Sequence, residues 1–306
     1  MSMPAVAVID VGSNSVNLLV VDVHGADIVR TVVTTRLGDQ LHTTGSLSNN
    51  AITRTVDVIE QHVKTARTHN VDSISIVGTA ACRRASNTQQ LIDHIYARVG
   101  LALRVLSEKE EASFAFAGAI TGLPEAIGPT LVIDIGGAST EYTVGVLEAD
   151  QSVSIPFGAV TGTASHLVTD PPRPEDLTNL IGAVADDLEE IGRTHPAMTT
   201  PARVIGTAGT IVTVAAVEIG TNNFDDPMLH GFVLDRDAAE DVFRTLATEP
   251  LADRLLNPGI TPDRADIIVA GCCILVATMR RLKLDSIIVS TRGLLDGVAH
   301  SARLAP

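Results

Sequence analysis

The apolar positions of this chain fall into short strand-like runs, and the same runs recur in its two halves. Ala5-Val-Ala-Val-Ile9 leads into Asp10-Val-Gly-Ser-Asn-Ser15 and then into an alternating segment from Asn17 to Val23. Later, Thr130-Leu-Val-Ile133 leads into Asp134-Ile-Gly-Gly-Ala-Ser139 and a second alternating segment from Glu141 to Val146. Each copy predicts a strand, a tight glycine turn and a returning strand, which is a β-hairpin with an aspartate near its tip. A second echo pairs Ser73–Val77 and Gly78-Thr-Ala80 with Ala202–Ile205 and Gly206-Thr-Ala-Gly-Thr210, each followed by a helical stretch. A weaker third pair sets Leu103–Leu106, ending in Ser107, against Ser286–Val289, ending in Ser290. Three matched elements in one order predict two duplicated α/β domains, with the loops at the strand ends gathered at a shared cleft.

Turn residues supply the punctuation. The stretch Gly122-Leu-Pro-Glu-Ala-Ile-Gly-Pro129 marks a boundary between domains over 1–124 and 125–296, with a terminal helix over 297–306 expected to pack back on the first. Pro171-Pro-Arg-Pro174 stops one segment and opens a helix from Glu175 to Ile191. Ser107-Glu-Lys-Glu110 has the spacing of a capping box at the head of a helix over 108–120. The longest apolar run, Ile267 to Met279, falls short of the roughly 18 residues of a membrane span and reads as a buried helix.

Composition narrows the chemistry. Of 306 residues 45% are hydrophobic but only 3% aromatic, so Val, Ile, Leu and Ala must build the core, as in buried parallel sheets. The formal charge of −14 argues against a surface that coats nucleic acid or an anionic membrane, so a polyanionic partner needs a local site. Three lysines stand among the 22 basic residues, a ratio that suits bidentate anion contacts but that a coding bias toward arginine explains as well. The three cysteines, Cys82, Cys272 and Cys273, form neither a disulfide framework nor a zinc pattern. With no basic leader ahead of Asp10, a cytoplasmic location is expected. The histidines lack ligand spacing, and His62 and His69 read as a solvated helix face.

Two aspartate-tipped glycine turns are what a phosphate-transfer site needs. Gly12, Gly136 and Gly137 let backbone N–H groups approach phosphate oxygens, and Ser13, Ser15, Ser139 and Thr140 add hydroxyl donors. Asp10 and Asp134 are hard oxygen ligands suited to Mg²⁺ held through water and substrate phosphate.

These two turns resemble the paired phosphate loops of the exopolyphosphatase and guanosine pentaphosphate phosphohydrolase (Ppx/GppA) family. Further matches are Gly78-Thr-Ala-Ala-Cys-Arg-Arg-Ala85 with Asn87, Ser107-Glu-Lys-Glu-Glu-Ala112, Pro156-Phe-Gly-Ala-Val160, Gly206-Thr-Ala-Gly-Thr210, Arg264-Ala-Asp-Ile267 and Ser290-Thr-Arg-Gly-Leu294, running in order to Gly297. The resemblance implies two ribonuclease-H-like domains of the actin, sugar kinase and Hsp70 superfamily, with an interdomain cleft. It implies phosphate binding by both loops, Asn14 and Ala138 included, and by Arg83 and Gly209. It nominates Glu111 as catalytic base and Glu141 as either a second catalytic carboxylate or a metal ligand beside Asp134 and Asp10, roles that sequence does not divide between the two glutamates. Arg264 and Arg292 lie near motifs and read equally as site, surface or ion-pair residues. The implied cofactor is Mg²⁺ or another divalent cation, with a monovalent cation as a further candidate. The implied substrates are inorganic polyphosphate, in short chains, or guanosine pentaphosphate, and the implied assembly is a homodimer without nucleic-acid or membrane partners.

Two positions depart from the family pattern. Ala138 stands where a third consecutive glycine is usual, and its methyl narrows the loop if that position requires positive φ; Glu108 follows Ser107 where glycine is usual. The chain also ends soon after the second repeat, without the helical domains of longer relatives. The competing readings are an ATP-binding kinase or ATPase of the same superfamily and a catalytically weak polyphosphate-binding protein.

Overall fold

The computed structural model describes residues 3–304. Strands β1 (Val6–Val11) and β2 (Ser15–Val21) form the first hairpin and β3 (Asp27–Thr34) extends it. There follow α1 (Leu41–Thr44), α2 (Asn49–Thr68), β4 (Ser73–Gly78), α3 (Ala80–Arg84), α4 (Thr88–Val99), β5 (Leu103–Val105) and α5 (Glu108–Ala119). The second half opens with β6 (Thr130–Ile135), β7 (Thr140–Gly145) and β8 (Ala149–Ile155), then α6 (Ala159–His166), α7 (Pro174–Thr194), β9 (Arg203–Thr207) and α8 (Ala208–Ile219). It closes with β10 (Val233–Asp235), α9 (Arg236–Thr248), α10 (Leu251–Arg254), α11 (Ile268–Arg281), β11 (Ser286–Val289) and α12 (Leu294–Leu304).

These elements sort into two units: one runs to Gly118 and resumes at Leu294, the other spans Ala119–Gly293. The division falls in the last turn of α5 and not at 124/125, because the loop beyond α5 is held by the second unit. Arg203 donates a side-chain hydrogen bond to Pro124 O, and the Ala202 N–H donates to Pro129 O (2.8 Å). The terminal helix belongs to the first unit and begins at Leu294, ahead of residue 297.

In the first unit the described strands lie in the order β3-β2-β1-β4-β5. β1 pairs antiparallel with β2 and parallel with β4, which is parallel to β5. In the second unit the order β8-β7-β6-β9-β11 repeats this pattern, and β10 adds an antiparallel strand at the β11 edge. The weak third echo is therefore structural, since β5 and β11 occupy equivalent positions. The chain holds two copies of one α/β domain.

The central strands are apolar at nearly every position because both faces are covered. Along β1, Val6 and Val8 join a cluster with Val298 and Ala299 of α12, while Ala7, Ile9 and Val11 join one with Ile52, Val56 and Ile59 of α2. In β6, Leu131, Ile133 and Ile135 pack into a core with Leu180, Val184 and Leu188 of α7 and with α11. Every residue of α11 from Ile268 to Met279 is buried, which accounts for the long apolar run. Among the described residues no helix is long and apolar enough to cross a membrane.

The capping box forms as the spacing predicts: Ser107 Oγ accepts the Glu110 N–H (3.3 Å) and Glu110 Oε2 accepts the Ser107 N–H (2.9 Å). The Ser107 hydrogen bonds, with a smaller contribution from Arg104, pull the Glu110 carboxyl down to about 2. His62 is a correction to the solvated-face reading. It is buried at 5% exposure with Nε2 3.4 Å from Val16 O, and burial lowers its pKa.

Two glycines make opposite predictions. Gly297 of α12 lies against α5 so closely that a Cβ there would collide with the Phe114 carbonyl, and Gly297→Ala should cost about 1–3 kcal/mol in denaturant unfolding. Gly182 in α7 has open space around it, and Gly182→Ala should stabilise by about 0.5–1 kcal/mol in the same measurement.

Candidate active site

Each hairpin tip is closed by a glycine amide. In the first, the Gly12 N–H donates to Ser15 O (3.0 Å). The neighbouring carbonyls are taken up by the segment after β3: Ser13 O accepts the Gly38 N–H (2.8 Å), and Asn14 O accepts the N–H groups of Thr35 (3.0 Å) and Arg36 (2.8 Å). Arg36 adopts φ +52° there, a left-handed conformation that a non-glycine residue holds only at a cost. With its carbonyls engaged, the turn leaves the amides of Ser13 and Asn14 and the hydroxyls of Ser13 and Ser15 without a protein acceptor among the described residues. Gly12 is needed for closeness and not for φ, since a Cβ would lie 3.1 Å from Ser15 O.

The second tip repeats this economy. The Gly136 N–H donates to Ser139 O (3.1 Å), and the head of α6 takes the carbonyls. Gly136 O accepts the Ala159 N–H (2.9 Å), Gly137 O accepts the Val160 N–H (2.8 Å), and Ala138 O accepts the Thr161 hydroxyl (3.1 Å). Gly158 allows this approach, because a Cβ there would come within 2.5 Å of the Gly137 carbonyl and 2.6 Å of the Ser139 nitrogen. The amides of Gly137 and Ser139 donate to no protein acceptor among the described residues. Ala138 does not take a positive φ, so its buried methyl does not distort the loop. Thr140 departs from expectation. It is fully buried and its hydroxyl donates to Phe157 O (2.7 Å), so it braces the loop and is not a phosphate donor.

Strand register sets the carboxylates. Asp10 lies directly across from Asn17, and Asp134 directly across from Glu141, so each aspartate shares a face of its sheet with the opposite residue. Asn17 Nδ2 donates to Asp10 Oδ2 (3.1 Å), while Asp10 Oδ1 and Asn17 Oδ1 are both buried without a hydrogen-bond partner. Burial, and secondarily the Glu111 charge, push the Asp10 carboxyl up to about 7 against the lowering effect of Asn17. In the second unit, Glu141 is 9% exposed and Oε1 accepts the Ser154 hydroxyl (2.9 Å).

Glu111 stands in the first turn of α5, with Arg83 of α3 donating to both its Oε2 and Leu106 O. Burial raises the Glu111 pKa, and the Arg83 hydrogen bond and charge oppose that rise. Arg84, one residue on, is exposed. Asn87 is structural: its amide bridges the Leu47 N–H (2.8 Å) and Leu47 O (2.9 Å).

A divalent cation suits these oxygens. An ionised Asp10 would leave a buried, unpaired oxygen, and the Asp134–Glu141 pair is a hard-oxygen set. Among the described residues no three His, Cys, Asp or Glu side chains converge as a ready-made metal site. Such an ion would therefore rely on one or two carboxylates, completed by water and substrate phosphate, as Mg²⁺ usually does.

Sequence reasoning passed over Asn17, Ser154 and the 35–38 segment, and gave Gly158 only as part of a matched motif. Asn17 was within reach of it, because Asp10 to Asn17 and Asp134 to Glu141 span the same interval around equivalent turns. Gly209 also makes room for a side chain: a Cβ there would collide with the Arg264 guanidinium. Arg292 contributes through its backbone, its carbonyl accepting the Thr207 hydroxyl (2.6 Å).

Comparison with known proteins places the chain among relatives along its whole length. The chain is 30% identical over 318 aligned residues to "Exopolyphosphatase 2" of Mycobacterium tuberculosis, covering 98% of this chain and 99% of that protein. It is 29% identical to a "Guanosine-5'-triphosphate,3'-diphosphate pyrophosphatase" of Vibrio atlanticus, over 98% of this chain and 59% of that protein. The crystal structure of an exopolyphosphatase from Cytophaga hutchinsonii superimposes with a TM-score of 0.88 at 26% identity, over 98% of this chain and 97% of that one. Residues 18–305 match the profile of the Ppx/GppA phosphatase family, and the chain belongs to that family.

Proposed function

We propose that the protein is an exopolyphosphatase that releases orthophosphate from the ends of inorganic polyphosphate, with Glu111 as general base. The observation that carries this reading is the set of unengaged backbone amides at the two hairpin tips, Ser13 and Asn14 in one unit and Gly137 and Ser139 in the other. Backbone N–H groups at fixed positions suit phosphate oxygens and do not read a nucleoside. The full-length similarity to proteins named exopolyphosphatase supports the same choice.

Phosphoryl transfer to water is mostly a matter of positioning and charge neutralisation. The Ser13 and Asn14 amides with the Ser13 and Ser15 hydroxyls suit one phosphate in the first unit, and the Gly137 and Ser139 amides with the Ser139 hydroxyl suit another in the second. A water attacks its phosphorus as the bridging P–O bond breaks, and the shortened chain leaves with the electron pair. The water's proton passes to a Glu111 carboxylate oxygen, whose raised pKa makes it a better base than an ordinary glutamate. Arg83 fixes the orientation of Glu111 and supplies positive charge near the developing negative charge. Asp134 and Glu141 would hold a Mg²⁺ ion in the second unit, and Asp10 is the candidate metal carboxylate of the first; a bound ion would neutralise phosphate charge.

The negative overall charge favours short chains over long ones, because polymer beyond the site meets an acidic surface. A soluble cytoplasmic homodimer is part of this reading.

Three measurements test it. Glu111→Gln should lower kcat for tripolyphosphate by about 10²–10⁴ with an unchanged melting temperature, and retained turnover would remove Glu111 as the base. Because Glu111 must be ionised to accept a proton, activity should fall as pH drops through its raised pKa. Arg83→Gln removes groups that lower that pKa, so the acid limb of the pH–rate profile should move to higher pH. Phosphate-release assays run in parallel should favour tripolyphosphate over guanosine pentaphosphate in kcat/KM; the reverse order would assign the second substrate.

A further inference from the structure

The two hairpin tips are held by different chemistry. Their turns are equivalent, Gly12 to Ser15 in one and Gly136 to Ser139 in the other, each closed by the same N–H to carbonyl bond. They differ at the third residue. Asn14 O accepts the backbone N–H groups of Thr35 (3.0 Å) and Arg36 (2.8 Å), donors that no substitution short of proline removes. Its counterpart, Ala138 O, accepts the hydroxyl of Thr161 (3.1 Å), which is a side chain.

Thr161 is the third residue of α6 and meets the loop twice. Its N–H donates to Gly137 O (3.1 Å), while its hydroxyl oxygen accepts the Gly158 N–H (2.8 Å) and so is fixed in place. A hydroxyl has a single proton to give. Of the carbonyls around it Ala138 O is the nearest, with Gly158 O at 3.4 Å and Pro156 O at 3.5 Å. Thr163 of the same helix is the contrast, since its hydroxyl donates to Ala159 O (2.7 Å) one turn back and leaves the loop alone.

A peptide unit is planar and trans, so its C=O and N–H point in opposite directions. The Ala138 carbonyl and the Ser139 N–H belong to one such unit. Holding the carbonyl on Thr161 therefore sets the direction of the Ser139 N–H, which donates to no protein acceptor among the described residues. The unit two residues earlier obeys the same rule: Gly136 O is held by the Ala159 N–H (2.9 Å), and the Gly137 N–H is left over.

We propose that Thr161 is a positioning residue of the second hairpin tip, orienting the Ser139 amide toward a phosphate oxygen of the substrate by holding the Ala138 carbonyl. This role rests on the reading of that tip as a phosphate loop. Thr161 touches no reacting atom. Without its hydroxyl the Ala138–Ser139 peptide loses its anchor, and ordering it again is charged against substrate binding. Glu111 and Arg83 belong to the other unit and are left as they are, so the loss falls on KM and not on kcat.

The test compares the wild type with Thr161→Val, which keeps the shape and removes the hydroxyl, Thr161→Ser, which restores it, and Thr163→Val as a control in the same helix. Tripolyphosphate binding to metal-free protein is measured by calorimetry, and KM and kcat are measured with Mg²⁺, all well below the melting temperature. Thr161→Val should weaken binding and raise KM by about 5- to 10-fold with kcat within about 2-fold, and Thr161→Ser should return both to within about 2-fold of wild type. Thr163→Val should leave Kd and KM unchanged. Thr161→Val also strands the Gly158 N–H and should lower the melting temperature. A lowered melting temperature with unchanged Kd and KM would make Thr161 merely structural and overturn the proposal, as would a wild type that binds no tripolyphosphate or a serine variant that behaves as valine does. Should Thr161→Val fail to fold, Thr161→Ala gives the same comparison with serine. A wild type that binds tripolyphosphate with this dependence on Thr161 but releases no orthophosphate would sink the exopolyphosphatase reading and leave the positioning role standing.

Discussion

The closure of the two hairpin tips is the constraint from which the rest of the site follows. One glycine amide in each turn bonds across it, Gly12 to Ser15 and Gly136 to Ser139, and this fixes the register of the strands below. A slip of one residue would move Asp10 and Asp134 to the opposite faces of their sheets. The same closure determines which backbone groups remain. The carbonyls of the tips are taken by the 35–38 segment in one unit and by the head of α6 in the other, so the polarity left over is that of N–H donors. A turn left with carbonyls outward would repel phosphate.

Buried charge divides accordingly. Where the protein has no use for exchange, its buried ions are satisfied internally. Arg254 is bonded on every side, and Arg30 of β3 reaches Asp296 of α12 at 2.5 Å. At the ends of the parallel strands the reverse holds: Asp10 retains an unpaired oxygen and Glu111 is held by a single arginine. Unmet polar groups are costly in a well-packed core, and their concentration at strand ends is what separates a reactive site from a structural one. Of the described non-glycine residues with positive φ, Arg36 backs the first turn and Ala208 opens α8, while Asn70 and Lys283 follow the ends of α2 and α11.

Much of this was legible from the chain alone. The duplicated hairpins, the buried helix α11 and the capping box at Ser107 each rest on local pattern, in which the period of two, the apolar run and a three-residue spacing carry their own physical meaning. The glycines were legible as glycines, but their packing roles were not. Gly12 and Gly136 serve close approach, Gly158 makes room for the second loop, and Gly209 makes room for a guanidinium far away in sequence. Ala138 was a doubt that only its backbone angle could remove. Thr140 looked like a donor until its partner, Phe157, was in view.

The sequence by itself determined which segments form strands and helices, that they form twice, and that each copy presents an aspartate beside a glycine turn. Those are properties of neighbouring residues, and short-range sterics and hydrophobic periodicity suffice to state them. Tertiary structure decided which polar groups are satisfied. It set Asn17 against Asp10, Ser154 against Glu141 and Arg83 against Glu111, buried His62, and laid the Arg264 guanidinium over Gly209. Whether a donor or a charge is engaged depends on atoms brought together by packing across long stretches of chain, and no local pattern records that.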